Sequence, residues 1–225
     1  KSNLPKISNL ANVNYKDIDL VFLSLPNGEA QKLIKKIYKY NNLKFIDLSA
    51  DFRLTNPYTY KKFYKKEHKA KDLIKYSKYC ITEFAKKSIK KFRIIGNPGC
   101  YPTSIQLPLL PLIKENLIKF NNITIDSKSG YSGAGKNFNK KFKHKNLYTS
   151  IQGYGDTLHK HVAEIDQEFN KLNKLNIQYT FNPHLIPTFR GILSSIYLEV
   201  DKKINIIKIH NFLKKNLRKN KFIKI

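Results

Sequence analysis

The chain has 225 residues, 41% of them hydrophobic and 12% aromatic, which is enough to build a core and excludes disorder as the default. A formal charge of +27 puts nucleic acid or an anionic membrane first among partners on charge alone, yet the lysines are scattered through nearly every segment, the pattern of a solvated surface. No stretch approaches the roughly 18 to 20 uninterrupted apolar residues of a membrane span, and two cysteines, Cys80 and Cys100, make no disulfide framework, so a reducing, cytoplasmic setting is expected.

The chain starts at Lys1 and contains no methionine, so a piece of a longer protein is expected. Ile18 to Leu25 is a short apolar run that ends at Pro26-Asn27-Gly28 and is followed by an amphipathic stretch from Glu29 to Tyr40. Leu43 to Leu48 repeats the strand signal, so the first half opens as a β-α-β unit of a parallel sheet. The loop from Asp47 to Leu54 then lies at the carboxyl end of a strand, where open α/β sheets bind ligands. Arg53 in that loop is a candidate anion clamp, with a surface arginine paired to Asp51 as the alternative. From Thr55 to Lys91 no firm period emerges. The basic and aromatic residues of 61–66 and 86–91 could touch phosphates but read better as solvated helix faces.

Phe92 to Gly96 is a strand that delivers Asn97-Pro98-Gly99-Cys100-Tyr101-Pro102-Thr103 to a helix-like run reaching about Leu117. Gly99 allows a sharp turn, and Pro102 sits where a first helical turn needs no amide hydrogen. Cys100 is thereby placed at a helix N-terminus, where unpaired amides favour a thiolate, the form a covalent catalyst needs. A buried structural cysteine is the alternative. Pro108 and Pro111 should kink or end that helix in its first half.

Ile123 to Ser127 is the next strand, feeding Ser129-Gly130-Tyr131-Ser132-Gly133-Ala134-Gly135, whose glycines let backbone approach a ligand or simply form a turn. Residues 136–145 read as a basic, exposed loop. His159 to Ile165 opens an amphipathic helix to Leu172. His159 and His161 do not share a helix face, which argues against a zinc pair, whereas His161 and Glu164 do, so the carboxylate can orient the imidazole. Tyr179 to Gly191 reads as turn residues carrying His184 and Arg190, before a strand from Ile192 to Val200 and a basic amphipathic helix from Ile204 to Leu217.

Five segments in order, 47–54, 97–103, 129–135, 159–165 and 183–191, together resemble the N-acetyl-gamma-glutamyl-phosphate reductases of the aspartate-semialdehyde dehydrogenase-like superfamily. The resemblance implies an α/β fold: a partial Rossmann-type NADP-binding domain over residues 1–98, then an α+β catalytic and dimerisation domain with a mixed sheet over 99–225. It implies NADPH-dependent reduction of a small acyl phosphate to a semialdehyde by a homo-oligomer, a dimer or tetramer, using neither nucleic acid nor membrane. In that reaction Cys100 is the nucleophile, its own amide is the oxyanion donor, and a histidine, His161 in preference to His159, moves the proton. By similarity Ser132, Gly133, Ala134 and Gly135 lie against the nicotinamide, while Arg53, Asn97 and His184 or Arg190 hold the substrate's phosphate and carboxylates. Cys80 is read as a small packing residue.

The family's glycine-rich dinucleotide fingerprint and its closing glycine- and alanine-rich helix are missing from this sequence, so weak NADPH binding by the 225 residues is expected. Two other functions stay open. The sister reductase of lysine biosynthesis, whose acyl phosphate rides on an acidic carrier protein, suits a basic surface. A basic nucleic-acid-binding module has only the net charge behind it.

Overall fold

The structure is a computed structural model and describes residues 7–86, 88–134, 149–155, 159–172 and 177–225. Its first half is built on a four-stranded, wholly parallel sheet of β1 (Leu20–Leu23), β2 (Lys44–Asp47), β3 (Ser77–Tyr79) and β4 (Ile94–Gly96), in the order β1-β2-β4-β3. Phe45 of β2 is paired to Val21 on one side and Ile94 on the other. The intervening helix α1 (Glu29–Ile37) buries Ala30, Ile34 and Ile37 against Leu23, Phe45 and Ile94, and these apolar side chains form the first core. Both expected strands and the helix between them are present, each shorter than its apolar run.

The loop after β2 is held by its two buried aspartates. Asp47 accepts hydrogen bonds from the Ser49 amide and hydroxyl and from the Phe52 amide. Asp51 accepts from the amides of Gly28 and Gln31 and from the Tyr60 hydroxyl, so it caps the N-terminus of α1 from twenty residues away. Asp51 is therefore fully engaged elsewhere, and the alternative pairing of Arg53 with Asp51 does not form.

The stretch without a firm period contains real elements. Helix α2 (Pro57–Tyr64) starts on an Asn56 side chain that accepts from the Tyr58 and Thr59 amides, with Pro57 at its first position. After β3 a single turn, α3 (Thr82–Ala85), follows. Lys61 on α2 is paired with Glu67 and solvent-facing, in keeping with a solvated helix face.

Helix α4 runs from Cys100 to Lys114, past both Pro108 and Pro111, so of the two expected effects, a kink or an end, the prolines do not produce the end. The reason is tertiary: Ile105, Leu109, Leu112 and Ile113 are all buried in the second core, whose packing outweighs the amide hydrogen bonds the two prolines forgo. That core lies between α4, helix α5 (Val162–Leu172), helix α6 (Ile206–Leu217) and a second sheet. The second sheet comprises β5 (Ile123–Gly130), β6 (Gln152–Gly153), β7 (Tyr179–Ile186) and β8 (Ile192–Tyr197), ordered β6-β7-β5-β8, with β5 parallel to β7 and antiparallel to β8. The mixed sheet matches the expected class. One local reading fails: Tyr179 to Ile186 is strand and not turn, and Pro183 keeps its place in it, with its carbonyl accepting from the Tyr154 amide.

Sheet and loop meet most closely at Gly96, the last residue of β4. A Cβ built there would stand 2.2 Å from the Phe52 carbonyl oxygen, a backbone atom that cannot move aside. Gly96→Ala is therefore expected to destabilise the chain by about 2 to 3 kcal/mol. A urea midpoint equal to that of the unaltered chain would show that the loop after β2 is not seated on this strand.

Candidate active site

Cys100 is the first residue of α4 and its side chain is exposed, directly beyond the carboxyl end of β4. Burial of its surroundings would raise the thiol's pKa, but a hydrogen bond with His161, the charge of that imidazole and the amides of Tyr101 and Cys100 bring it below the usual 9.0. His161 is its complement. Burial works to lower its pKa, whereas the contacts with Cys100 and Glu164 carry it up to about 9. At neutral pH the imidazole is thus protonated, and its charge favours the thiolate form of the cysteine beside it. The His161 Nδ1–H donates to Glu164 Oε1 over 2.6 Å, which leaves Nε2 as the nitrogen for the cysteine.

Glu164 is 0% exposed and still ionised: burial pushes its pKa up, but His161, Arg53 and the Gly99 amide more than offset this and hold it low. Its Oε1 also accepts from Arg53 Nη1 at 3.2 Å, and its Oε2 from the Gly99 amide at 2.9 Å. The spacing of His161 and Glu164, one turn apart, predicted their contact, and the structure has it.

Gly99 itself has φ −65°, which any residue adopts, so the turn it allows makes no use of glycine's conformational freedom. Space is what it provides. A Cβ on residue 99 would lie 2.1 Å from His161 Cε1 and 3.0 Å from Arg53 Nη1, so only glycine lets imidazole and guanidinium close over the backbone that precedes the cysteine.

Arg53 is nearly buried, and its nitrogens face the protein: Nε donates to the Asn97 carbonyl at 2.8 Å, Nη2 to the Leu48 carbonyl at 3.1 Å, and Nη1 to Glu164. Asn97 lies exposed beside Cys100, with its amide bonded to the Asp47 carbonyl. His159 stands beside His161, with ring centroids 5.1 Å apart. Its ring packs against Tyr101, Tyr154 and Phe181 at 5.5 to 5.6 Å, and its Nδ1 accepts from the His161 amide, so it shapes the turn that presents His161.

On the far side of Tyr101 stands the glycine-serine loop. Tyr101 is hydrogen-bonded to Ser129 and to the Tyr154 hydroxyl, and β5 ends there in a 3-10 turn, Tyr131–Ala134. The Tyr131 and Ser132 amides bond the carbonyls of Thr188 and Phe189, which brings the Arg190 segment to this loop, with the Arg190 guanidinium 5.4 Å from the Phe189 ring. Gly133 is exposed, while Gly135 and the basic stretch 136–145 lie outside the described residues. His184 is not brought to the cysteine. Its side chain stands with Asp126 and Lys128 on the face of the sheet opposite Ile123 and Ile125, because β-strand alternation turns it away from α4.

Gln106, 0% exposed, is the supporting residue the sequence reading missed. Its Nε2 donates to the Glu164 carbonyl and its Oε1 accepts from the Tyr79 hydroxyl. A lone amide in the apolar run Ile105 to Ile113 was the signal.

Among known proteins, the family described as semialdehyde dehydrogenase, NAD binding domain, matches residues 3–92. The semialdehyde dehydrogenase dimerisation domain matches residues 100–225. The chain is similar to a probable chloroplastic N-acetyl-gamma-glutamyl-phosphate reductase of Arabidopsis thaliana, 41% identical over 99% of this chain and 55% of that protein. It is also similar to the N-acetyl-gamma-glutamyl-phosphate reductase of Clostridium novyi, 40% identical over 93% of this chain and 61% of the relative. The chain thus spans somewhat more than half the length of these relatives. In fold it resembles aspartate semialdehyde dehydrogenase II from Vibrio cholerae, with a TM-score of 0.66 at 16% identity, covering 92% of this chain and 63% of the other. No helix among the described residues is long and apolar enough to cross a membrane. With one domain of the family matched on each side of the strand-to-helix turn that carries Cys100, and the dimerisation domain alone accounting for more than half of its residues, the chain belongs to the semialdehyde dehydrogenase family.

Proposed function

We propose that this chain carries the covalent machinery of an NADPH-dependent N-acetyl-gamma-glutamyl-phosphate reductase, an enzyme that makes N-acetyl-glutamate semialdehyde and phosphate for arginine biosynthesis. The observation that carries the reading is the hydrogen-bonded run Cys100, His161, Glu164 at the start of α4. Identity near 40% to reductases of that name supports the substrate.

In the proposed reaction the Cys100 thiolate attacks the acyl carbon of the acyl phosphate. The carbon–sulfur bond forms, the carbon–oxygen bond to phosphate breaks, and phosphate leaves. The nicotinamide cofactor, when bound, supplies the hydride that reduces the resulting thioester carbon. His161, protonated at neutral pH, gives its proton to the oxygen of the thiohemiacetal and takes it back as the carbon–sulfur bond breaks, releasing aldehyde and thiolate. The amides of Cys100 and Tyr101 already face the sulfur and stabilise the negative charge as it passes to the substrate oxygen. Asn97 and Arg190 are the proposed contacts for the substrate's phosphate and carboxylate.

Ser132, Gly133, Ala134 and Gly135 would hold the nicotinamide end. The fit rests on Gly133, where a Cβ would stand 2.8 Å from Ser129 Oγ and close the gap between loop and strand. The proposed assembly is a homo-oligomer that divides near residues 98 and 99 into nucleotide-binding and catalytic parts, and the proposed compartment is the cytoplasm, in keeping with two unpaired thiols.

Iodoacetamide should label Cys100 well before Cys80, because the Cys100 thiol titrates below 9.0 while burial pushes the Cys80 thiol above it. Labelling of Cys100 should rise with pH and level off before Cys80 reacts appreciably, as followed by peptide mass spectrometry. Equal rates for the two thiols would sink the covalent reading.

Cys100→Ser should lower acyl-phosphate turnover by about 10⁴-fold, and His161→Asn by roughly 10² to 10⁴-fold with little change in substrate binding. If His159→Asn gave the larger loss, the acid–base role would pass to His159.

A further inference from the structure

We propose that Arg53 is a positioning residue whose anion is the protein's own Glu164, and that it fastens the loop before Cys100 and the helix behind His161 into one charge-balanced unit. The inference rests on the covalent reading of Cys100. Its ground is where the guanidinium is spent. Three separate pieces of chain meet on it: the Leu48 carbonyl after β2, the Asn97 carbonyl after β4 and the Glu164 carboxylate on α5. The Tyr64 hydroxyl is held against it as well. A planar fork with fixed donors suits three acceptors in different directions in a way that an ammonium cannot match. The backbone of Arg53 is tied to the same helix, since its carbonyl accepts from Gln167 Nε2 while the Gln167 Oε1 accepts from the Thr55 amide and hydroxyl.

Charge counting gives the consequence. The titratable groups facing the guanidinium and the carboxylate are Asp47 from β2, Tyr64 from α2, Tyr79 from β3 and His161 ahead of α5, with Cys100 of α4 and His159 in turn beside His161. Within the hydrogen-bonded run Arg53, Glu164, His161 and Cys100, with the first and third positive and Glu164 negative, ionising Cys100 takes these four from +1 to neutral. Without Arg53 the same step leaves a net negative charge in a largely buried place, so the thiolate forms less readily. Arg53 thus supports the nucleophile without touching it.

The test is the pH profile of Cys100 alkylation by iodoacetamide, measured on the 225-residue chain with no substrate or cofactor present. A residue whose only role is to hold substrate leaves that profile unmoved. Arg53→Gln, which keeps donors but no charge, should shift the midpoint upward and slow labelling at pH 7 about ten-fold while the plateau at high pH stays the same. Arg53→Lys restores the charge and should bring the midpoint back, yet it cannot reach all three acceptors, so it should still lower turnover without a matching change in KM. A Gln variant that folds and keeps the midpoint of the unaltered chain overturns the proposal. Should the Gln variant not fold, the Lys variant decides: a midpoint kept near that of the unaltered chain with reduced turnover supports the proposal, and a raised midpoint overturns it. If Cys100 in the unaltered chain reacts no faster than Cys80, the covalent reading itself has failed, which is a different result.

Discussion

A single buried carboxylate sets the terms for this structure. Glu164 has no exposure to solvent and is held in its charged form, a state that costs several kcal/mol unless donors surround it. Three of its donors come from three places in the chain: His161 one turn before it, Arg53 from the loop after β2, and the amide of Gly99 from the turn after β4. Satisfying that one group therefore fixes the ring of His161, the approach of the β2 loop and the backbone that leads into Cys100. Each of the three could be arranged separately in other ways, but together they leave one arrangement.

The two halves of the chain are joined through the same region. Ala163, next to Glu164, packs with Ala50, Leu54, Tyr60 and Tyr64 in a small core of its own, apart from the two larger cores under the sheets. Gln167, one turn further along α5, bonds the backbone of Arg53 and Thr55. The loop after β2 is thus anchored on its own side by Asp47 and Asp51 and on the other side by α5, so a loop at the open end of a parallel sheet behaves as a rigid wedge. Gly96 and Gly99 are the places where that wedge needs bare backbone to come close.

Much of this was legible in the sequence, and the failures have physical causes. The β-α-β opening, the cysteine at a helix start and the contact of His161 with Glu164 follow from local rules of period, turn chemistry and spacing. Elements that depend on distant packing were not legible. α2 is a short helix of lysines and tyrosines with weak amphipathicity, and only the Asn56-Pro57 start marked it. Helix α4 survives two prolines because the core on its inner face holds it, which no window of sequence reveals. His184 was placed by its neighbours in the chain, whereas the alternation of β7 turns its side chain to the opposite face, with Asp126. Arg53 was seen as an anion clamp, and the anion the structure supplies comes from residue 164, more than a hundred residues away.

The reactivity of Cys100 follows the same division between local and distant causes. A helix N-terminus was reason enough to expect a depressed thiol, and the amides of Tyr101 and Cys100 do contribute. They are not the leading influence. The hydrogen bond with His161 lowers the thiol most, and that imidazole is itself held protonated partly by Glu164, which in turn stays charged with help from Arg53. Only the last of these partners belongs to the first sheet's loops, and none of them lies within fifty residues of the cysteine along the chain except Arg53. A peptide containing Asn97 to Thr103 would keep the glycine, the prolines and the tendency to start a helix, but its cysteine would lack the imidazole that lowers the thiol most. The depressed thiol of Cys100 is a property of the docked halves, because the contact of α5 with the β2 loop holds the charges that lower it.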